Sequence, residues 1–222
     1  MPPIPLFRDR QEAGEKLAQA VLQEVEQLDL LLPMRAIVYA LPRGGLPVAA
    51  PVARSLNCPL DVVIAKKVTR PENPELAIGA VTANGHIIRS RQGAFIQPLG
   101  GSWRLALQEA QAKAQEQLEQ FTASRPQIDP KGAIAVLVDD GIATGMTMAV
   151  AARALRARRP AKILICAPVA PLELVSLLKH WGDRVIVLAA PETFLSVSRF
   201  YAEFPQVEME EALACLVRQN EG

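Results

Sequence analysis

The most restrictive stretch of the sequence runs from Ala133 to Thr147 and reads AIAVLVDDGIATGMT. Ala133 to Val138 is an unbroken apolar run, as expected of a strand buried on both faces of a helix-covered parallel sheet. The run stops at two adjacent carboxylates, Asp139 and Asp140. Gly141 and Gly145 bracket a short loop carrying Thr144 and Thr147, and Met146 to Arg158 then places Met148, Ala149, Ala152 and Leu155 at helical spacing. Backbone amides at a helix N-terminus hold a phosphate with help from the helix dipole. The threonine hydroxyls add donors, and the glycines admit a close approach to backbone. Two carboxylates beside such a cradle suit ribose hydroxyls or a magnesium ion, both of which take hard oxygen partners. The competing reading is an ordinary strand–turn–helix corner with Asp139 as a helix cap.

The remaining chain alternates strands and helices. Asp9 and Glu12 have capping-box spacing ahead of an amphipathic helix with Leu17, Val21, Val25 and Leu28, which Pro33 stops. Ala36–Leu41 is a short apolar strand, Gly45–Leu56 a helix, and Leu60–Ala65 a second strand ending at Lys66-Lys67. This order implies parallel strands joined by right-handed crossovers. Val68–Pro74 reads as an exposed loop, and Leu76–Val81 with His86–Ile88 as a hairpin turning at Asn84-Gly85. A Gln/Glu/Ala-rich helix spans about 102–121, with Leu105, Ala112, Leu118 and Phe121 on its apolar side and a charged face expected to be solvated. Lys162–Val169 and Arg184–Ala189 are further strands around a helix at Leu172–His180, and a last helix covers Glu208–Arg218. The expected fold is α/β: a three-layer, doubly wound parallel sheet of about five strands, forming a single domain over 1–222. A lid or hairpin at about 67–90 and a hood at about 191–222 are its appendages. Ligands of such sheets bind at the carboxyl ends of the strands.

Composition narrows the function classes. Twenty-four Lys and Arg balance 23 Asp and Glu, so nothing points to nucleic acid. Cys58, Cys166 and Cys215 are scattered and read as reduced packing residues, while isolated His86 and His180 argue against zinc. The start, MPPIPLFRDR, lacks secretory-signal character, and no apolar run has the length of a membrane span. A cytoplasmic protein without a membrane partner is the expectation.

Val136 to Thr147 resembles the 5-phosphoribosyl 1-diphosphate (PRPP) signature of the type I phosphoribosyltransferases: an apolar strand, two acids, a short variable stretch and T-G-x-T. Leu41-Pro42-Arg43-Gly44-Gly45 resembles the family's diphosphate loop, where the resemblance implies a strained, often cis, peptide before Arg43. Lys67 matches the lysine of an Arg-Lys pair after the second strand, although Lys66 replaces the arginine. Val68–Pro74, with Arg70, resembles the family's mobile lid. Together with Phe7–Arg10, Pro74–Ala80 and Phe200-Tyr201, these stretches resemble a group of predicted bacterial members whose acceptor is not established.

The resemblance implies that Asp139 and Asp140 contact the ribose diol, directly or through Mg2+ and water. Gly141, Ala143, Thr144, Gly145, Met146 and Thr147 would wrap the 5-phosphate, and Arg43, Gly44, Gly45 and Lys67 would hold the diphosphate. Displacement of diphosphate passes through an oxocarbenium-like state, which the acid pair would stabilise while Arg43, Lys67 and Mg2+ stabilise the leaving group. Hypoxanthine–guanine members carry an aspartate immediately before Thr-Gly; Ala143 stands there and accepts no proton. Phe194, Phe200 and Tyr201 are candidates for a hood over an acceptor ring, or for packing the last helix. The reaction implied is transfer of ribose 5-phosphate from PRPP to a nitrogen nucleophile, by a homodimer. The alternatives are a PRPP-binding regulatory module without transfer activity and, more distantly, a hydrolase or phosphatase using Asp139 as nucleophile.

Overall fold

The structure, a computed structural model, describes residues 5–29, 35–70, 73–90 and 101–221. Pro33 and the link from the hairpin to the following helix lie outside the described residues, as do 71–72 of the lid-like stretch.

The centre is a five-stranded parallel sheet in which β1 (Ala36–Ala40), β2 (Leu60–Val62), β6 (Ile134–Val138), β7 (Lys162–Val169) and β8 (Arg184–Ala189) lie in the order β2-β1-β6-β7-β8. The chain leaves β1 towards β2 and leaves β6 towards β7, so the winding reverses between β1 and β6. A crevice forms at such a reversal, outside the carboxyl ends of the two strands. Every residue of β6 is buried, in line with its apolar run. Leu17 and Val21 of α1 (Arg10–Asp29) and Leu46, Val48 and Val52 of α2 (Gly45–Ser55) cover one face. Met148, Ala151 and Leu155 of α4 (Met146–Ala157), with Leu174 and Leu178 of α5 (Leu172–Leu178), cover the other. The last helix, α6 (Met209–Glu221), adds Ala212 and Leu216 to the first face.

At the start of α1 the Glu12 amide donates to Asp9 Oδ1 at 2.8 Å, and Glu12 Oε2 accepts from the Arg8 amide, one residue ahead of the N-cap amide that a capping box uses. Gly14 lets α1 approach α2 closely, since a Cβ there would lie 2.7 Å from the Val48 carbonyl oxygen.

Two expectations are corrected beyond β2. Lys66 and Lys67 do not end that strand, and the following residues are not an exposed loop. They belong to β3 (Ala65–Arg70), which pairs antiparallel with β4 (Asn73–Thr82), itself paired with β5 (Ile87–Arg89) in a second sheet. One face of this sheet packs Val68, Ile78 and Val81 on α3 (Gly101–Thr122), and the other packs Ala80 and Ile88 on Ala149 and Val150 of α4. Burial on both sides is what holds so polar a segment extended. The inner face of α3 also differs from expectation. Trp103, Ala106, Ala110, Ala114 and Phe121 are buried, whereas Leu105 and Ala112 are exposed. Alanines bring the helix near the small sheet, and Gly79 makes room for Trp103: a Cβ there would lie 2.8 Å from the indole.

A buried ion pair secures the link between α3 and β6. Arg125 meets Asp61 of β2 with both Nε and Nη2, at 2.6 and 2.9 Å, and the Asp61 side chain is 1% exposed.

Candidate active site

The two loops that flank the winding reversal are in contact. Leu41 donates its amide to the Val138 carbonyl at 2.9 Å, carrying the β1–β6 ladder to the end of the sheet. The chain then turns through a cis peptide between Pro42 and Arg43 into α2, so the cis bond implied before Arg43 is present. Gly44 and Gly45 are required by closeness. A Cβ at Gly44 would fall 2.1 Å from Asp140 Oδ2, and one at Gly45 would lie 3.0 Å from the Val138 carbonyl oxygen. No side chain larger than hydrogen fits between the first loop and the acid pair.

Asp139 and Asp140 are only partly accessible, and the Asp140 amide donates to Asp139 Oδ1 at 2.9 Å. Burial, and then the neighbouring charge of Asp140, holds the Asp139 carboxyl well above the usual carboxylate range. Burial raises Asp140 as well, against the opposing pull of Arg10. Arg10 Nε donates to Asp140 Oδ2 at 2.7 Å, its Nη1 donates to the Pro205 carbonyl at 2.6 Å, and its guanidinium lies 3.6 Å from the Phe204 ring centroid. Tyr201 donates its hydroxyl to the Asp140 backbone carbonyl at 2.6 Å. Asp140 is therefore held through its side chain from the start of the chain and through its backbone from near the end.

Residues 141–147 curl from the acid pair into α4. Ala143 and Thr144 are exposed, Met146 and Thr147 partly so. Gly145 precedes the helix at φ +72°, a backbone conformation that favours glycine. No side chain caps α4, so Asp139 is not a helix cap and the first-turn amides are left for an anion. Gly141 is pressed by Val197, whose Cγ1 would lie 2.4 Å from a Cβ at that position.

The structure brings together Arg43, Gly44, Gly45, Asp139, Asp140 and the 141–147 corner, and it separates the two lysines. Along β3 successive side chains point to opposite faces. Lys66 is partly buried and lines a cavity with Arg43, while Lys67 is exposed. The lysine beside Arg43 is thus Lys66, the position at which the motif departs from the family's arginine. Arg10 is a site residue that sequence reasoning misses: an arginine in Phe-Arg-Asp-Arg carries no local sign of a partner 130 positions away.

The aromatic residues near the end pack on one another and on Phe7 and take no part in seating α6. Phe194 stacks on Phe200 at 5.3 Å between centroids, and Tyr201 packs on Phe7 at 5.4 Å and Phe204 at 4.9 Å. Phe7, Ala13 and Tyr201, with Phe200, Phe204 and Leu188 packed against them, tie α1 and the residues before it to β8, helped by a backbone bridge between Phe7 and Tyr201.

Among the described residues no group of three or more His, Cys, Asp or Glu side chains is placed to hold a metal. The donor set at the acid pair is two carboxylates, one of them partnered by arginine. That suits Mg2+, which keeps several waters and takes substrate oxygens, and not a fully protein-ligated ion. No described helix is long and apolar enough to cross a membrane.

A doubly wound sheet with an uncapped helix corner, an acid pair and a glycine loop at its winding reversal makes this an α/β protein whose crevice is suited to an anionic ligand. Residues 11–200 match the phosphoribosyl transferase domain, and the chain belongs to that family. It is 37% identical over 216 residues to proteins of two Mycobacterium tuberculosis strains that are provisionally named phosphoribosyl transferases. The match takes in 97% of this chain and 47% of each relative, so the chain spans about half their length. A Thermus thermophilus protein of known crystal structure shares 34% identity and the same fold, with a TM-score of 0.77 over 96% of this chain and 98% of that one.

Proposed function

We propose that the protein is an Mg2+-dependent phosphoribosyltransferase that moves ribose 5-phosphate from PRPP to a nitrogen nucleophile and releases diphosphate. The observation that carries this reading is the contact between Gly44 and Asp140. It sets a loop suited to diphosphate against the carboxylates suited to the ribose diol, one strand away from an uncapped helix corner suited to the 5-phosphate.

In this reading the first-turn amides of α4 and the hydroxyls of Thr144 and Thr147 bind the 5-phosphate. Asp139 and Asp140 accept hydrogen bonds from the ribose hydroxyls and oppose the positive charge that grows at the anomeric carbon. Arg10 fixes the side chain of Asp140 and opposes the rise that burial gives its carboxyl. The amides of the 41–45 loop and the Arg43 guanidinium take the negative charge of the departing diphosphate. Asp139 and Asp140 would hold Mg2+, directly or through water, and the ion would neutralise charge on the sugar diphosphate. Ala143 accepts no proton, so proton removal from the acceptor falls to another group or to the acceptor's own ionisation. Cys58, Cys166 and Cys215 carry free thiols, in keeping with a cytoplasmic setting. A homodimer, implied by the family resemblance, belongs to the same reading.

The test is release of diphosphate from PRPP with Mg2+ across a panel of nucleobases and small amines. Turnover with at least one acceptor is expected. Saturable PRPP binding without turnover for any acceptor would replace the enzyme by a PRPP-sensing module.

A further inference from the structure

A cavity of about 850 Å3 opens where the small sheet, the start of α4 and α5 meet. Its lining takes Ala77 from β4, Ile88 from β5, Met146 and Ala149 from α4, and Leu174 and Leu178 from α5. Ile88 and Ala149 pack as one cluster with Met146 and Trp181 against them, so this side of the cavity is formed by the fold itself. Leu76 and Leu177 also line it, and both are exposed, at 39% and 51%. Size and apolar lining suit a small molecule, and covering the two leucines would take apolar surface out of water.

The charge around this space has one sign. Among the described residues its lining includes no carboxylate; Arg89 and His180 are its titratable members, and Ser90 and Thr144 add hydroxyls. The Arg89 guanidinium lies 4.6 Å from the Trp103 ring centroid and, among the described residues, takes part in no ion pair. Gly145 and Met146 bring the uncapped, positive end of α4 to the same edge. Apolar walls with a rim that is cationic or neutral are complementary to an apolar molecule carrying a negative group, and they disfavour a cation. Leu174 links this space to the phosphate corner, since a Cβ at Gly145 would lie 3.2 Å from its Cδ1.

We propose that the cavity binds an aromatic anion and that its occupancy is coupled to the 144–147 corner through Leu174 and Met146. The site itself stands apart from the transferase reading. The coupling rests on that reading, because it takes the corner to hold the 5-phosphate. Two anions beside one helix start repel, so each weakens the other, and linkage requires the same factor in both directions.

Anilinonaphthalene sulfonate, whose emission rises in an apolar site, is the probe, and its uncharged parent phenylnaphthylamine reports the part played by charge. Titrated into the full chain, the sulfonate should saturate at one per chain, with the parent bound more weakly. Leu76→Glu and Leu177→Glu, both at exposed positions where the fold tolerates a polar side chain, should weaken sulfonate binding roughly fivefold or more. Leu105→Glu, at an exposed leucine of α3 outside the cavity, controls for the added charge and should change nothing. Ribose 5-phosphate should lower sulfonate affinity roughly fivefold and then reach a plateau. Uptake that does not saturate, unaltered affinity in the Leu76 and Leu177 variants, or equal weakening in Leu105→Glu overturns the site. A parent bound as tightly as the sulfonate overturns the anionic class. Affinity that falls without a plateau places the probe in the phosphate corner and overturns a separate site, whereas affinity that ribose 5-phosphate leaves unmoved overturns the coupling. Should ribose 5-phosphate not bind at all, the transferase reading fails, and the leucine variants still decide the cavity.

Discussion

Arg10 Nε meets Asp140 Oδ2 at 2.7 Å across 130 positions of sequence, and both side chains are largely enclosed, at 10% and 16% exposure. An enclosed carboxylate keeps its charge only with a partner, so the pair governs both the stability of the corner and the ionisation of Asp140.

Replacing Arg10 by Met leaves Asp140 without its cation. Breaking an enclosed pair costs about 3 kcal/mol or somewhat more, read as a lower midpoint in urea unfolding. Arg10 lowers the Asp140 carboxyl against burial, so its removal lets that carboxyl rise further. The acidic limb of the kcat/KM profile then moves to higher pH. Arg10→Lys restores charge without the two-sided grip on Asp140 and Pro205, and its profile lies between the two. An unshifted acidic limb in Arg10→Met would show that Asp140 does not depend on this arginine.

Asp139→Asn is expected to be more stable than wild type at neutral pH and nearly inactive. A carboxyl raised on folding binds its proton more tightly in the folded chain. Its stabilising contribution is whole below the unfolded value, about pH 4, and is lost as pH rises through the folded one. The Asn side chain does not titrate and still offers an oxygen to the Asp140 amide. The stability difference between variant and wild type therefore widens from about pH 4 upward, measured by urea unfolding at a series of pH values. A difference that stays constant with pH would show that folding does not raise the Asp139 pKa.

Gly44→Ala drives a methyl group into Asp140, since its Cβ has only 2.1 Å to the Oδ2 oxygen. The loop or the acid must yield, and a displacement of about 1 Å in a reacting site costs on the order of a hundredfold in rate. Circular dichroism should show an intact fold while PRPP turnover falls by about that factor. Wild-type turnover in this variant would mean that the loop and the acid pair do not act together.

Arg125→Leu strands Asp61, whose side chain is 1% exposed, and should cost about 3–5 kcal/mol. Adding Asp61→Leu removes the stranded charge and should recover much of that loss, as a double-mutant cycle on urea midpoints would register. PRPP turnover in any folded fraction is expected to survive, because the pair lies outside the active-site loops.

What could be read from the sequence was local. The strand, acid pair, glycine loop and helix from 133 to 158 are specified by neighbours in the chain, so composition and spacing display them directly. The parallel order followed from the alternation of strands and helices. Lys66 and Lys67 were harder, because β3 is a strand only by virtue of α3 and α4 packing on its two faces. Its alternation then decides which lysine turns towards Arg43, and that choice rests on partners distant in the chain. Phe200 and Tyr201 were recognisable as a feature but not in role, since Phe7 and Ala13, against which the aromatic cluster rests, come from the other end of the sequence. Arg10 was invisible as a site residue for the same reason.

That Asp140 is gripped by Arg10 and by Tyr201, with Arg10 in turn held by the Pro205 carbonyl, carries a consequence for synthesis. The five strands are all translated by residue 189, yet the last partners of this carboxylate emerge from the ribosome after them. A chain cut at residue 190 would carry all five strands and both loops but lack Tyr201 and Pro205, so it would hold the acid slackly; competence would come only when those residues close over the corner.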